Sequence, residues 1–142
     1  MYYFDSAYVV KCYLNEPDAE RVRDLVRTPV PLYSSVLCIS EVACAIHRHL
    51  REHRLSRRQA GEISARFGDQ VHSGVWTLVP ASEGLLWDVH RIVKTLPPGV
   101  FLRASDAIHL ASARLAGLPE VWTSDRHMRA AARHFGLKPR SA

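Results

Sequence analysis

A chain of 142 residues with 47% apolar side chains and a formal net charge of +5 fits one domain with a substantial core, since domain sizes peak at roughly 100–150 residues. Its three cysteines, Cys12, Cys38 and Cys44, form no CxxC pair, which argues against a disulfide scaffold and for a reduced, cytoplasmic setting. The opening Met-Tyr-Tyr-Phe-Asp lacks the basic and apolar regions of a signal peptide, and no stretch approaches the ~20 apolar residues of a membrane span. The positive balance permits a polyanionic partner without identifying one.

Tyr2-Tyr3-Phe4 reads as a buried first strand with Asp5 at its C-terminal tip. Tyr8 to Leu14 forms a short helix broken by Asn15-Glu16-Pro17, and Asp18 is placed to cap a second helix with Ala19, Val22, Leu25 and Val26 inward. Leu32-Tyr33-Ser34 is a second strand. Ile39, Val42, Ala43, Ile46 and Leu50 follow at helical spacing, with Glu41 off that stripe beside Cys44, Ala45 and Arg48. Ser56-Arg57-Arg58-Gln59 is a capping box opening the next helix, so residues 39–72 form a helical hairpin that carries most of the basic charge. After Gly74 comes the clearest strand, Val75–Val79. Ser82 then caps a helix with Leu85, Leu86, Val89, Ile92, Val93 and Leu96 inward, stopped by Pro97-Pro98-Gly99.

The last third carries the densest pattern. Ala107, Leu110, Ala111 and Leu115 lie at helical spacing, Gly117 and Pro119 stop that helix, and Val121-Trp122-Thr123 is strand-like. Asp125 opens another helix with Met128, Ala131, Ala132 and Phe135 inward, closed by Gly136. Leu137-Lys138-Pro139 is at most a short strand, and residues 140–142 fray. Strands alternate with helices throughout, with no Asn-Gly hairpin. The expectation is one α/β domain over residues 1–142, with a mostly parallel sheet of four or five strands and helices on both faces.

Asp106-Ala-Ile-His-Leu-Ala, then Gly117, a strand ending Thr123-Ser124-Asp125, then Ala131-Ala132 and Gly136-Leu137, resembles the C-terminal half of PIN domains. Among these the chain looks most like the VapC toxin ribonucleases. The resemblance implies acidic site residues at Asp5, Glu41, Asp106 and Asp125. It further implies an endoribonuclease acting on RNA, a partner antitoxin and a homodimer. The match is loosest around Glu41.

The residues taken alone support a compatible chemistry. In a parallel sheet, strand C-termini and the helix N-termini that follow them gather on one edge. Carboxylates converging there repel one another, which raises their pKa values until a cation joins them. Oxygen-only donors suit Mg²⁺ or Mn²⁺ rather than zinc, and such an ion activates water for phosphodiester hydrolysis. Singly, Asp5, Asp106 and Asp125 also read as helix-terminal residues and Glu41 as a solvated one. Ser6 and Thr123 are natural donors for holding Asp5 and Asp125, or plain turn residues, and Ser124 is a further candidate. Arg103 either contacts substrate phosphate or holds a site carboxylate, or is a surface arginine.

Arg48, Arg51, Arg54, Arg57 and Arg58 form a cationic run that either tracks an RNA backbone, with Arg48 and Arg51 in front, or is a charged hairpin tip. His49 and His53, spaced i, i+4, invite a zinc reading, but HExxH and a third ligand are missing and a solvated helix end is the plainer account. GxSxG, GxGxxG and GxxxxGK[ST] are absent from the sequence, which argues against a serine hydrolase and the common nucleotide-binding loops. Two rivals stay open: a non-catalytic RNA-binding or interaction module on the same fold, and a housekeeping RNA-processing nuclease without an antitoxin.

Overall fold

In the computed structural model, which describes residues 1–142, five short parallel strands are interleaved with seven helices. In chain order these are β1 (Tyr2–Tyr3), α1 (Ser6–Tyr13), α2 (Ala19–Arg27), β2 (Leu32–Ser35), α3 (Cys38–Arg51), α4 (Arg57–His72) and β3 (Trp76–Val79). There follow α5 (Glu83–Val93), α6 (Ala104–Leu115), β4 (Glu120–Trp122), α7 (Arg126–Ala132), a 3₁₀ turn (Arg133–Phe135) and β5 (Lys138–Arg140). β1, β2 and β3 pair in that order, β4 pairs with β5, and a parallel bridge from Phe4 to Trp122 joins the two groups. The sheet order is therefore β3-β2-β1-β4-β5. Connections run away from the β1/β4 junction on both sides, which makes that junction the topological switch point.

Alternation along β1 divides the interior in two. Tyr3 packs with Val79, Leu85, Leu110, Val121, Met128 and Phe135 beneath α5, α6 and α7. Its neighbour Phe4 packs with Tyr8, Val22, Val42, Ile46, Phe67 and Trp76 beneath α1 to α4. Successive strand residues point to opposite faces, so a run of three aromatics suffices to seed both cores. The Ser56–Gln59 capping box forms with both of its bonds, and Gly136 adopts the left-handed φ of 74° that ends the final turn.

Several local expectations are revised. Asp18 precedes α2 with a left-handed φ of 62° and makes no side-chain cap, because only the extended cap conformation presents the carboxylate to the first amides. On α3 the buried positions are Cys38, Val42, Ala45, Ile46 and His49, while Ile39 and Ala43 are exposed. A polar residue occupies the inward i+7 place because His49 Nε2 meets Glu16 Oε1 at 3.0 Å, in the turn between α1 and α2. This rotation brings Glu41 to the margin of the buried face instead of the solvated side.

α5 packs on α6 and buries only a narrow stripe: Leu85 is buried, Val89 and Ile92 pack partly, Leu86 and Val93 are exposed, and Leu96 lies beyond the helix end. Leu115 is likewise exposed. Arg140, expected to fray, pairs in β5 opposite Trp122 and bonds Glu120 at 2.9 Å. The backbone N–H of Ala142 reaches the Tyr8 hydroxyl at 2.9 Å. No helix is long and apolar enough to cross a membrane.

Candidate active site

The four acidic residues come from four elements, and each stands at a helix N-terminus. Asp5 follows β1 and caps α1, its Oδ1 accepting from the Tyr8 amide at 2.8 Å. Asp125 follows β4 and caps α7, its Oδ1 accepting from the amides of His127 and Met128 at 2.8 and 2.9 Å. Glu41 lies in the first turn of α3 and Asp106 in the first turn of α6. Capping chemistry and the positive end of each helix dipole thus favour negative charge at these four helix starts. The capping account and the site account of these residues are the same geometry.

Two sets of bonds engage these residues. Glu41 Oε2 accepts from the Ser6 hydroxyl and lies 2.9 Å from His109 Nε2, which is also 2.8 Å from Ser6 Oγ. Behind it, His109 Nδ1 lies 3.1 Å from the Tyr3 hydroxyl. On the other side Arg103 spans two carboxylates, with Nε donating to Asp106 Oδ2 at 3.1 Å and Nη2 to Asp125 Oδ2 at 2.9 Å. The wholly buried Thr123 links the halves: its Oγ1 accepts from the Asp125 amide at 3.0 Å, and its hydroxyl stabilises ionised Asp5. Of the alternatives for Arg103, holding site carboxylates is the arrangement seen.

The carboxylates respond differently to their surroundings. Burial pushes Asp5 above the ordinary aspartate range, against the opposing pull of Thr123, the Tyr8 amide, His109 and Lys11. For Glu41 partial burial also pushes up, but the bonds from His109 and Ser6 outweigh it and the carboxyl stays below its usual range. Asp125 is likewise held low, because the Met128 and His127 amides and Arg103 overcome its desolvation. The expected mutual elevation is therefore not seen for Glu41 or Asp125, which donors supplied by the chain already compensate, whereas burial raises Asp5.

These side chains share one edge without closing into a ready cage: no three Asp, Glu, His or Cys side chains are grouped tightly enough to ligate one ion. The Arg103 guanidinium instead bridges Asp106 and Asp125. Donor chemistry nonetheless suits a hard divalent cation, since every donor is oxygen and the buried Asp5 carboxylate has no ion-pair partner.

The expectations for Ser6, Ser124 and His49 change here. Ser6 bonds Glu41 and His109, not Asp5, because as the first residue of α1 it faces α3 and α6. The exposed Ser124 accepts from Lys11 Nζ at 3.0 Å and touches no site carboxylate. Arg48 and Arg51 stand seven and ten residues beyond Glu41 on α3, about 10 and 15 Å along the helix axis at 1.5 Å per residue. Arg48 pairs with Glu16 at 2.7 Å, whereas Arg51 has no carboxylate partner. His49 is buried against Glu16 instead of solvated, and His53 lies past the helix end with a φ of 57°.

Two residues escaped the sequence reading. Lys11 is buried, with its ammonium on Ser124 beside Asp5. His109 was visible only as a letter of the Asp-Ala-Ile-His motif. Its place three residues after Asp106, on the same helical face, was the available signal.

The PIN domain family model matches residues 2–134. Ribonuclease VapC46 of Mycobacterium tuberculosis is 33% identical over 140 residues, spanning 95% of this chain and 92% of that protein. Among solved structures, the fold resembles M. tuberculosis VapC20, described as a sarcin-ricin loop cleaving toxin, with a TM-score of 0.71 and 16% identity over 92% of this chain and 95% of that one. It also resembles FitAcB from Neisseria gonorrhoeae, with a TM-score of 0.72 and 16% identity over 98% and 96% of the two chains. VapBC2 from Rickettsia felis, bound to a promoter DNA fragment, gives a TM-score of 0.67 at 12% identity over 99% and 98%. With its strands, its acidic edge and its sequence all in agreement, the chain belongs to the PIN-domain family.

Proposed function

We propose that this protein is a metal-dependent endoribonuclease, the toxin of a toxin–antitoxin pair, with Asp5, Glu41, Asp106 and Asp125 as its working carboxylates. The observation that supports this reading is that the four acids stand at helix starts and are tied into two bonded sets, Glu41 by Ser6 and His109, and Asp106 and Asp125 by the shared Arg103, with Asp5 capping α1. The name of its 33% identical relative, a ribonuclease, points the same way. Mg²⁺ or Mn²⁺, held by these oxygens, would supply Lewis acidity toward water and phosphodiester oxygen. Asp5 provides a buried carboxylate in no direct salt bridge, with the Lys11 ammonium nearby, and Asp106 and Asp125 provide two more once Arg103 turns away. Glu41 is ionised and fixed through Oε2, which leaves Oε1 without a protein donor and open to accept a proton or a ligand. Arg103, half exposed at the rim, is placed to follow an RNA phosphate when it leaves the carboxylates.

The test is cleavage of total RNA by the purified protein with Mg²⁺ or Mn²⁺ and with chelator, beside Asp106→Asn. Cuts at defined positions that vanish with chelator and in the variant support the nuclease. RNA binding without cleavage under all metals supports the non-catalytic module instead. A partner antitoxin and a homodimer complete the proposal, and the exposed Leu86, Trp87, Val93 and Phe101 offer apolar surface for association. Sedimentation showing only monomer at high concentration counts against the dimer. Uninhibited cleavage when the product of an adjacent small gene is co-expressed favours a housekeeping nuclease.

A further inference from the structure

Behind Glu41 lies a polar chain that the four carboxylates do not explain. Tyr3, His109 and Ser6 come from β1, α6 and α1, and all are buried among apolar neighbours. An ionised carboxylate can only accept, so the imidazole nitrogen 2.9 Å from Glu41 Oε2 carries a hydrogen. In a neutral ring this leaves Nδ1 bare, and the Tyr3 hydroxyl at 3.1 Å donates to it. Tyr3 therefore selects the tautomer that points N–H at Glu41. Nε2 of His109 and the Ser6 hydroxyl both address Oε2, while Oε1 receives no protein donor. Buried polar groups cost stability unless bonded, and a packing role alone would be met by an apolar side chain at the His109 position.

We infer that His109, locked by Tyr3, is a positioning residue that orients Glu41 so that Oε1 is presented to the cation. This rests on the reading of Glu41 as a cation ligand given above, and the experiment separates the two. His109 also begins one turn beyond Asp106 on α6, so one rigid helix sets both carboxylates relative to each other.

Mn²⁺ affinity is measured by spin resonance of the free ion for wild type, Glu41→Gln, His109→Leu, His109→Gln and Tyr3→Phe. Histidine ring nitrogen spectra are recorded on the same metal-free proteins. His109→Leu is expected to weaken Mn²⁺ binding about 10- to 100-fold, as loss of a ligand's supporting partner typically does. His109→Gln, whose amide N–H can replace Nε2–H, is expected to restore most of that loss. The His109 signal, identified by its absence in His109→Gln, should show hydrogen on Nε2 in wild type and a changed tautomer mixture in Tyr3→Phe. Wild-type affinity in His109→Leu beside a weakened Glu41→Gln overturns the positioning role and leaves the ligand reading intact. Wild-type affinity in Glu41→Gln overturns the ligand reading, and this inference with it. Glutamine no better than leucine, or a tautomer indifferent to Tyr3→Phe, also overturns it. If His109→Leu does not fold, the glutamine variant against wild type and the ring spectra decide.

Discussion

Arg103 and Asp125 are 22 residues apart in sequence, yet Nη2 of the first lies 2.9 Å from Oδ2 of the second. The same guanidinium holds Asp106, so one exposed cation spans two acids that a divalent ion would need. Protein cation and metal compete for the same oxygens. Arg103→Met is accordingly expected to raise Mn²⁺ affinity several-fold while lowering RNA cleavage, because the phosphate contact goes with it. Titration calorimetry showing weaker Mn²⁺ binding in this variant would mean that Arg103 supports the site instead of occupying it.

Asp125 does two jobs that one pair of variants separates. Asparagine caps a helix about as well as aspartate, so Asp125→Asn should unfold in urea close to wild type while cleavage disappears. Asp125→Ala should lose cleavage and in addition about 1 kcal/mol of stability, the usual value of a cap. Equal stabilities for the two variants would show that the bonds to His127 and Met128 contribute nothing measurable.

The carboxylates predict opposite pH dependences in the metal-free protein. Burial raises Asp5, so the folded chain binds that proton more readily than the unfolded chain. Its ionisation therefore costs stability as pH rises from the ordinary aspartate range through the raised folded value. Glu41 and Asp125 are lowered, and the stability they contribute is present above the ordinary carboxylate range and lost as pH falls through their folded values. Asp5→Asn should thus melt higher than wild type at neutral pH in chelator, with the gain shrinking in acid. Added Mn²⁺ should stabilise wild type and not the variant. A melting temperature for Asp5→Asn below wild type at neutral pH would contradict this account.

Thr123 is wholly buried between Asp5 and Asp125. Thr123→Val keeps the shape and removes the hydroxyl, leaving the Asp125 amide without its acceptor. Denaturant unfolding should register a loss of about 1–3 kcal/mol, the cost of an unsatisfied buried group. Thr123→Ser should recover most of it. A neutral Thr123→Val would show that the hydroxyl bond is dispensable.

Along α3 the two arginines should part company. Arg51 has no carboxylate partner, so Arg51→Ala should reduce the salt-dependence slope of RNA binding by about 1 if it contacts phosphate. Arg48 is engaged with Glu16 and its replacement should leave that slope unchanged. Identical slopes for wild type and Arg51→Ala would remove the hairpin tip from the RNA path.

The sequence by itself determined the alternation of strands and helices, the capping box at Ser56, the glycine at position 136 and the places of Asp5, Asp106 and Asp125 at helix starts. Each is written in local periodicity or in the residue that must end or begin a helix, and local rules need no knowledge of neighbours. Glu41 was the least legible, because a glutamate beside an apolar stripe looks solvated until the helix is rotated. That rotation was decided by His49 reaching Glu16, a contact between distant segments that no periodicity encodes. For the same reason Ser6, next to Asp5 in the sequence, gives its hydroxyl to Glu41. Only the packing of α6 across β1 brings His109 onto Tyr3 and Glu41, 106 and 68 residues away. Likewise only the folded chain lets one arginine, Arg103, bond two carboxylates, Asp106 and Asp125, at once. Local chemistry chose the acids, and tertiary packing chose the donors that hold them, because donor direction depends on which faces the helices turn toward one another.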